Sequence, residues 1–157
     1  MRKKFAAISL LLVVAGILGA CSTTPPRTAR GQGGDVVHYA ESLLGTPYHY
    51  GGTSPRTGFD CSGFVRYVFL KTRRIDLPRR AEDMSRVGVR IKGNQLRPGD
   101  LVFYSTQGWP YSHVGIYIGN AKFIHSPHTG RTVEIADMSL RYWQAHYNGA
   151  RRIVNRR

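Results

Sequence analysis

The chain has 157 residues, and its 23 lysines and arginines against nine acidic residues give a formal charge of +14. Two cysteines exclude a disulfide-stapled scaffold, and the length is enough to bury one hydrophobic core. So basic a chain suits an acidic partner.

Arg2-Lys3-Lys4 opens the chain, and an apolar run from Phe5 to Ala20 follows, broken only by Ser9. Those 16 residues fall short of a bilayer span, so residues 1–20 read as an export signal. The run closes on Leu18-Gly19-Ala20-Cys21, which resembles a bacterial lipoprotein signal cleaved before a lipidated Cys21. Ser22 in the next position resembles lipoproteins sent to the outer membrane. The expected location is therefore the outer membrane of a Gram-negative bacterium, held through lipid on Cys21, with the folded domain in the periplasm. Cleavage would leave a formal charge of about +11, because three basic residues leave and no acidic one does. Acidic partners in that compartment are carboxylate-rich peptidoglycan peptides and anionic lipid headgroups; nucleic acid is not expected.

Residues 21–34 make the lipidated terminus and, without apolar periodicity, a flexible tether. Residues 35–157 form one domain, expected to be monomeric. Asp35 caps a first helix whose face is Val36, Val37, Ala40, Leu43 and Leu44, and Gly45 ends it. The glycine- and proline-containing stretch 46–59 is loop. Asp60 caps a second helix with Cys61, Phe64, Val65, Val68 and Phe69 on one stripe. A short helix is expected over 81–87. Strands follow at 101–104, 113–118, 122–125, 132–135 and 150–154. Helices first and strands after predict an α+β domain, N-terminal helices packed on a central antiparallel sheet.

With Cys21 lipidated, Cys61 is the remaining thiol, placed where a helix begins in an oxidising compartment. A helix N-terminus is expected to lower its pKa, and an imidazole to complete its activation. His113 and His125 are the candidates. A two-residue turn at Gly119-Asn120 would put them on opposite faces of the hairpin. A three-residue loop, 119–121, would put them on one face as diagonal neighbours, with Ala121 strained in the left-handed region. In that register the Asp60 helix is expected to pack on the face of His113, Gly115, Tyr117, Phe123 and His125, with Gly115 making room. Cys61 would be the nucleophile, His113 the base and His125 the residue that orients it. Inert burial of all three, or a zinc site, stays open on pattern alone; the spacing fits no compact zinc motif.

Six motifs in register carry a resemblance: Gly45-Thr46-Pro47-Tyr48-His49-Tyr50-Gly51-Gly52, Asp60-Cys61-Ser62-Gly63-Phe64-Val65, Leu77-Pro78-Arg79, Pro98-Gly99-Asp100-Leu101-Val102-Phe103, His113–Gly119 and Phe123-Ile124-His125. Together they resemble the NlpC family of cell-wall cysteine peptidases across 35–157. The resemblance implies a compact papain-like fold and no cofactor or metal. It also implies hydrolysis of amide bonds in murein stem peptides, between D-glutamate and a diamino acid such as diaminopimelate or at a nearby cross-link. By position it makes Cys61 the nucleophile, His113 the general base and His125 the orienting residue. It places Tyr48 beside the thiol to hold substrate or the oxyanion, and Ser62 in the substrate groove. Asp60 becomes the acid before the nucleophile, with helix capping as its plainer role.

Two departures concern substrate preference. Asp83-Met84 stands where relatives often have glutamine, and Ser105–Tyr111 is specific to this chain, so that Trp109 and Tyr111 either rim the cleft or pack the loop. His38, His49, His128 and His146 match no functional position. The competing function is a non-catalytic lipoprotein that binds peptidoglycan or recruits hydrolases; a thiol acyltransferase or amidase on the same fold is a further alternative.

Overall fold

The computed structural model describes residues 32–154. The expected signal peptide, Cys21 and all of the tether up to residue 31 lie outside the described residues. Among the described residues no helix is long and apolar enough to cross a membrane.

Helix α1 spans Gln32–Glu41. It starts earlier than expected: Asp35 lies in its first turn rather than at its cap, and residues 32–34 belong to the domain rather than the tether. Val36 and Ala40 are buried, and Leu43 joins them from the turn that follows, whereas Leu44 is exposed. The buried positions recur at i, i+4 and i+7, the face a helix offers a core.

The loop 46–59 is less plain than its composition suggests. Thr53–Ser54 (β1) and Gly58–Phe59 (β2) pair in a small antiparallel ribbon. Helix α2, Cys61–Arg73, follows directly. Its cap is the expected one: the Gly63 N–H donates to Asp60 Oδ1 at 2.7 Å. Phe64, Val65, Val68 and Phe69 are all buried, as the stripe predicts. Gly63 is required by crowding, since a Cβ there would lie 2.0 Å from the Gly52 carbonyl oxygen. The loop thus crosses the start of α2 in near contact. A one-turn helix α3, Ala81–Met84, carries the wholly buried Met84.

Six strands form one sheet: β3 (Val89–Ile91), β4 (Leu101–Tyr104), β5 (His113–Gly119), β6 (Lys122–His125), β7 (Glu134–Asp137) and β8 (Tyr147–Arg152). Their order is β3-β8-β4-β5-β6-β7, and every pairing is antiparallel. The domain is therefore α+β, with helices and a central antiparallel sheet. The last two strands sit a few residues from their expected places. β3 and the helix α4, Arg141–His146, had no signal strong enough to be read.

The β5–β6 hairpin resolves the choice of register. Ile116 pairs with Ile124 and Tyr117 with Phe123, so the strand bodies follow the three-residue alternative and both histidines share a face. The turn nevertheless closes on two residues. A bulge before Gly119 absorbs the extra one, and Asn120 (φ 50°) and Ala121 (φ 55°) both take left-handed conformations. Ala121 is thus in the strained region, as expected.

The expectation for the helix was wrong in sign of face. Helix α2 packs on Val114, Ile116 and Ile124, in one core with Phe64, Val65, Val68 and Phe69. The branched aliphatic side offers the deeper apolar surface. The histidine side is instead covered by α4, whose Trp143 joins Val102, Tyr104 and Phe123 in a second core. Gly115 accommodates no helix end: a Cβ there would meet the Phe123 ring at 2.5 Å.

Candidate active site

Cys61 is the first residue of α2 and remains partly open at a cavity of about 440 Å³. Its backbone N–H is one of the helix-start donors with no intrahelical acceptor. Tyr48, Ser62, Arg79, Trp109 and Tyr111 share the cavity wall. Trp109 and Tyr111 therefore do rim this cleft, although Tyr111 also packs edge-on against Phe103. Cys61 packs against the core cluster that includes Val114, the residue after His113 on β5. That packing sets the start of α2 on the strand that carries His113.

The expectation of a helix-lowered thiol pKa is overturned. Burial pushes Cys61 up to about 11, and the Asp60 carboxylate adds to the rise. Backbone donors at Val114 and Ser62, and the Arg79 charge, pull the other way without prevailing. A thiolate stripped of hydration costs more than one helix end and two amides return.

Asp60 has little left to offer a substrate. Its carboxylate accepts from the Gly63 and Gly51 amides at 2.7 and 3.0 Å, from the Ser62 hydroxyl at 3.3 Å and from both terminal nitrogens of Arg79. It caps α2 and clamps Arg79. Arg79 also donates to Ser62 Oγ at 2.8 Å, so Ser62 is buried inside this clamp. Arg79 keeps part of its surface on the cavity. It stands in the Leu77-Pro78-Arg79 motif, yet no spacing hints that it faces Asp60 across 19 positions. Burial and then the nearby Cys61 raise the pKa of Tyr48, which stays a phenol and a proton donor.

His113 and His125 are 2% and 1% exposed. His113 Nε2 and His125 Nδ1 lie 2.8 Å apart and share one proton between perpendicular rings. Phe123 and Trp143 wall the pair, with the Trp143 ring centre 5.2 Å from that of His125 and 6.1 Å from that of His113. Burial, followed by the field of His128, lowers the His113 pKa to about 4. Burial and then His113 push His125 well below its ordinary value as well. At neutral pH both rings are uncharged, and the thiol is protonated. With Nε2 of His113 engaged, Nδ1 is the ring nitrogen left to take a proton.

The imidazoles line a second cavity, of about 410 Å³, and Gln107 lines both. No hydrogen bond joins the sulfur to either ring among the described residues. His128, Arg131, Glu134 and Trp143 line this second cavity. The sequence reading left His128 without a role and did not single out Arg131, Glu134 or Trp143. For Trp143 the available signal was one aromatic pair, Tyr142-Trp143, between the last two expected strands. His38 and His49 are exposed and His146 is half-buried at the end of α4.

The site is thus a helix-start thiol near two adjacent strands that carry paired imidazoles, on an α+β domain. The sequence profile of the NlpC/P60 family matches residues 45–152, and the chain belongs to that family. It is 50% identical over 114 residues to Murein DD-endopeptidase MepH of Escherichia coli K12, covering 71% of this chain and 42% of that protein. It is 39% identical over 152 residues to Probable endopeptidase NlpC of the same organism, covering 92% of this chain and 97% of that one. The crystal structure of an NlpC/P60 family protein from Bacillus cereus superposes with a TM-score of 0.71 at 37% identity, covering 77% of this chain and 40% of that one. The chain thus spans less than half the length of MepH and nearly all of NlpC.

Proposed function

We propose that the protein is a cysteine endopeptidase of peptidoglycan, with Cys61 as nucleophile, His113 as general base and His125 as the residue that orients it. The buried 2.8 Å contact between His113 Nε2 and His125 Nδ1 carries the reading, because it leaves Nδ1 of His113 as the free base on the strand against which Cys61 packs. The neutral resting pair calls for general-base attack. His113 removes the thiol proton as sulfur bonds to the stem-peptide carbonyl carbon. The Cys61 N–H and the Tyr48 hydroxyl receive the developing oxyanion. The His113 imidazolium returns the proton to the leaving amine as the C–N bond breaks. Water, deprotonated by His113, then attacks the thioester; the acid leaves and Cys61 recovers its proton.

Two bonds are in question. The sequence resemblance favours D-glutamyl to diaminopimelate, and the name of MepH favours a D,D cross-link. Mass spectrometry of products from defined muropeptides separates them. Export and anchoring through Cys21 complete the proposal, and palmitate labelling lost in Cys21→Ala is its test. For the reaction itself, Cys61→Ala should lower cleavage at least ~10³-fold without moving the melting temperature. Cleavage at the wild-type rate by that variant would reject the assignment.

A further inference from the structure

His125 has a second ring nitrogen, and nothing holds it. Nε2 is buried without a hydrogen-bond partner, and the carboxylate oxygen Oε1 of Glu134 stands 3.9 Å away. The two residues are direct cross-strand partners in the β6–β7 ladder, so the backbone register itself sets them on one face. Arg131 donates to the other oxygen, Oε2, from Nε at 3.0 Å and Nη2 at 2.6 Å. That grip leaves Oε1 turned toward the imidazole.

We propose that Glu134 is a positioning residue that selects the working tautomers of the His113–His125 pair. The inference rests on the reading of His113 as the base. A carboxylate only accepts, so the ring nitrogen turned toward it carries hydrogen. With the hydrogen on Nε2, His125 presents a lone pair at Nδ1 and accepts from the Nε2–H of His113. His113 Nδ1 then carries the lone pair that takes the thiol proton. In the other tautomer a lone pair would face the carboxylate inside the protein, and His113 Nδ1 would be protonated and useless as a base. The separation is about 1 Å longer than a hydrogen bond.

The surroundings leave this role to Glu134. The groups around the imidazole pair are Arg131 and His128 from the β6–β7 connection, Tyr142 and Trp143 from α4, Thr106 and Gln107 from the loop after β4, and the ring of Phe123. Glu134 is the one carboxylate among the residues lining this cavity. As His113 becomes cationic during attack, the same carboxylate balances the charge passed along the two rings.

The test compares full-chain Glu134→Ala, Glu134→Gln, Glu134→Asp, His113→Ala, His125→Ala and the His125→Ala/Glu134→Ala double variant on one purified muropeptide. Glu134→Ala should lower kcat about tenfold with KM within about twofold. Its acidic limb should move to lower pH, because the imidazolium has lost its counter-charge. Glu134→Gln, which keeps the shape, should behave similarly, and Glu134→Asp should recover part of the rate. The double variant should be no slower than His125→Ala. Unchanged kcat and pH profile in Glu134→Gln, or losses that multiply in the double variant, would overturn the inference. An active His113→Ala protein would instead overturn the assignment of the base.

Discussion

Acidification should weaken this fold through His113 by an amount the structure sets. In the folded state the His113 pKa lies near 4 against an ordinary 6.5, because burial disfavours the cation and His128 opposes it further. The folded pKa is the lower one, so as pH falls the unfolded chain takes up the proton first. Stability is whole above about pH 6.5, is lost as pH falls toward 4, and levels off below that. The gap between the two values is worth about 3 kcal/mol in full, of which about 2.5 kcal/mol is expressed by about pH 4.5. Urea unfolding followed by the fluorescence of Trp109 and Trp143, at about pH 7.5 and about pH 4.5, reads it directly. Carboxylates also titrate over this range, so the quantity to compare is the loss in wild type minus that in His113→Gln. Wild type should lose at least about 2 kcal/mol more than the variant. The variant also removes the ring that depresses His125, which acts in the same direction. Parallel losses in the two proteins would refute the claim that His113 is buried as a neutral base.

Three further outcomes follow from single features. The Cys61 thiol, at about 11 against an ordinary 9.0, should hold about a hundredfold less thiolate at neutral pH; after its higher intrinsic nucleophilicity is allowed for, iodoacetamide should modify it about tenfold more slowly than a free cysteine. Modification faster than free cysteine, with a plateau below neutrality, would show a preformed thiolate. Ala121→Gly should raise stability by about 0.5–1 kcal/mol in thermal unfolding, since φ 55° is costly for alanine and open to glycine; a lower melting temperature would contradict the strain. Trp143→Ala should bring water to both imidazoles and raise their pKa values toward 6.5 in NMR titrations. Unchanged titrations would show that Trp143 is not what keeps them dry.

The sequence by itself determined those features whose cause is local. The cap at Asp60, the buried stripe of α2, the β5 and β6 limits and the left-handed Ala121 follow from periodicity, capping and turn length. Shared-face histidines were one of two registers that counting two residues per pleat allows, and the bulge before Gly119 chose it. Six motifs in register were enough to name the family resemblance, because their order along the chain is itself information. Only tertiary structure decided which side of the sheet α2 covers. Both faces of β5–β6 are largely apolar, and the choice depends on where α4 and its Trp143 come to lie. The same holds for the thiol. A helix start argues for a low pKa, but burial outweighs it, and burial is a sum over the whole fold. Arg79 against Asp60 and Glu134 behind His125 belong to this class too. Charged pairs set by loops and ladder register leave no periodic trace in a chain, so folding alone brings them together.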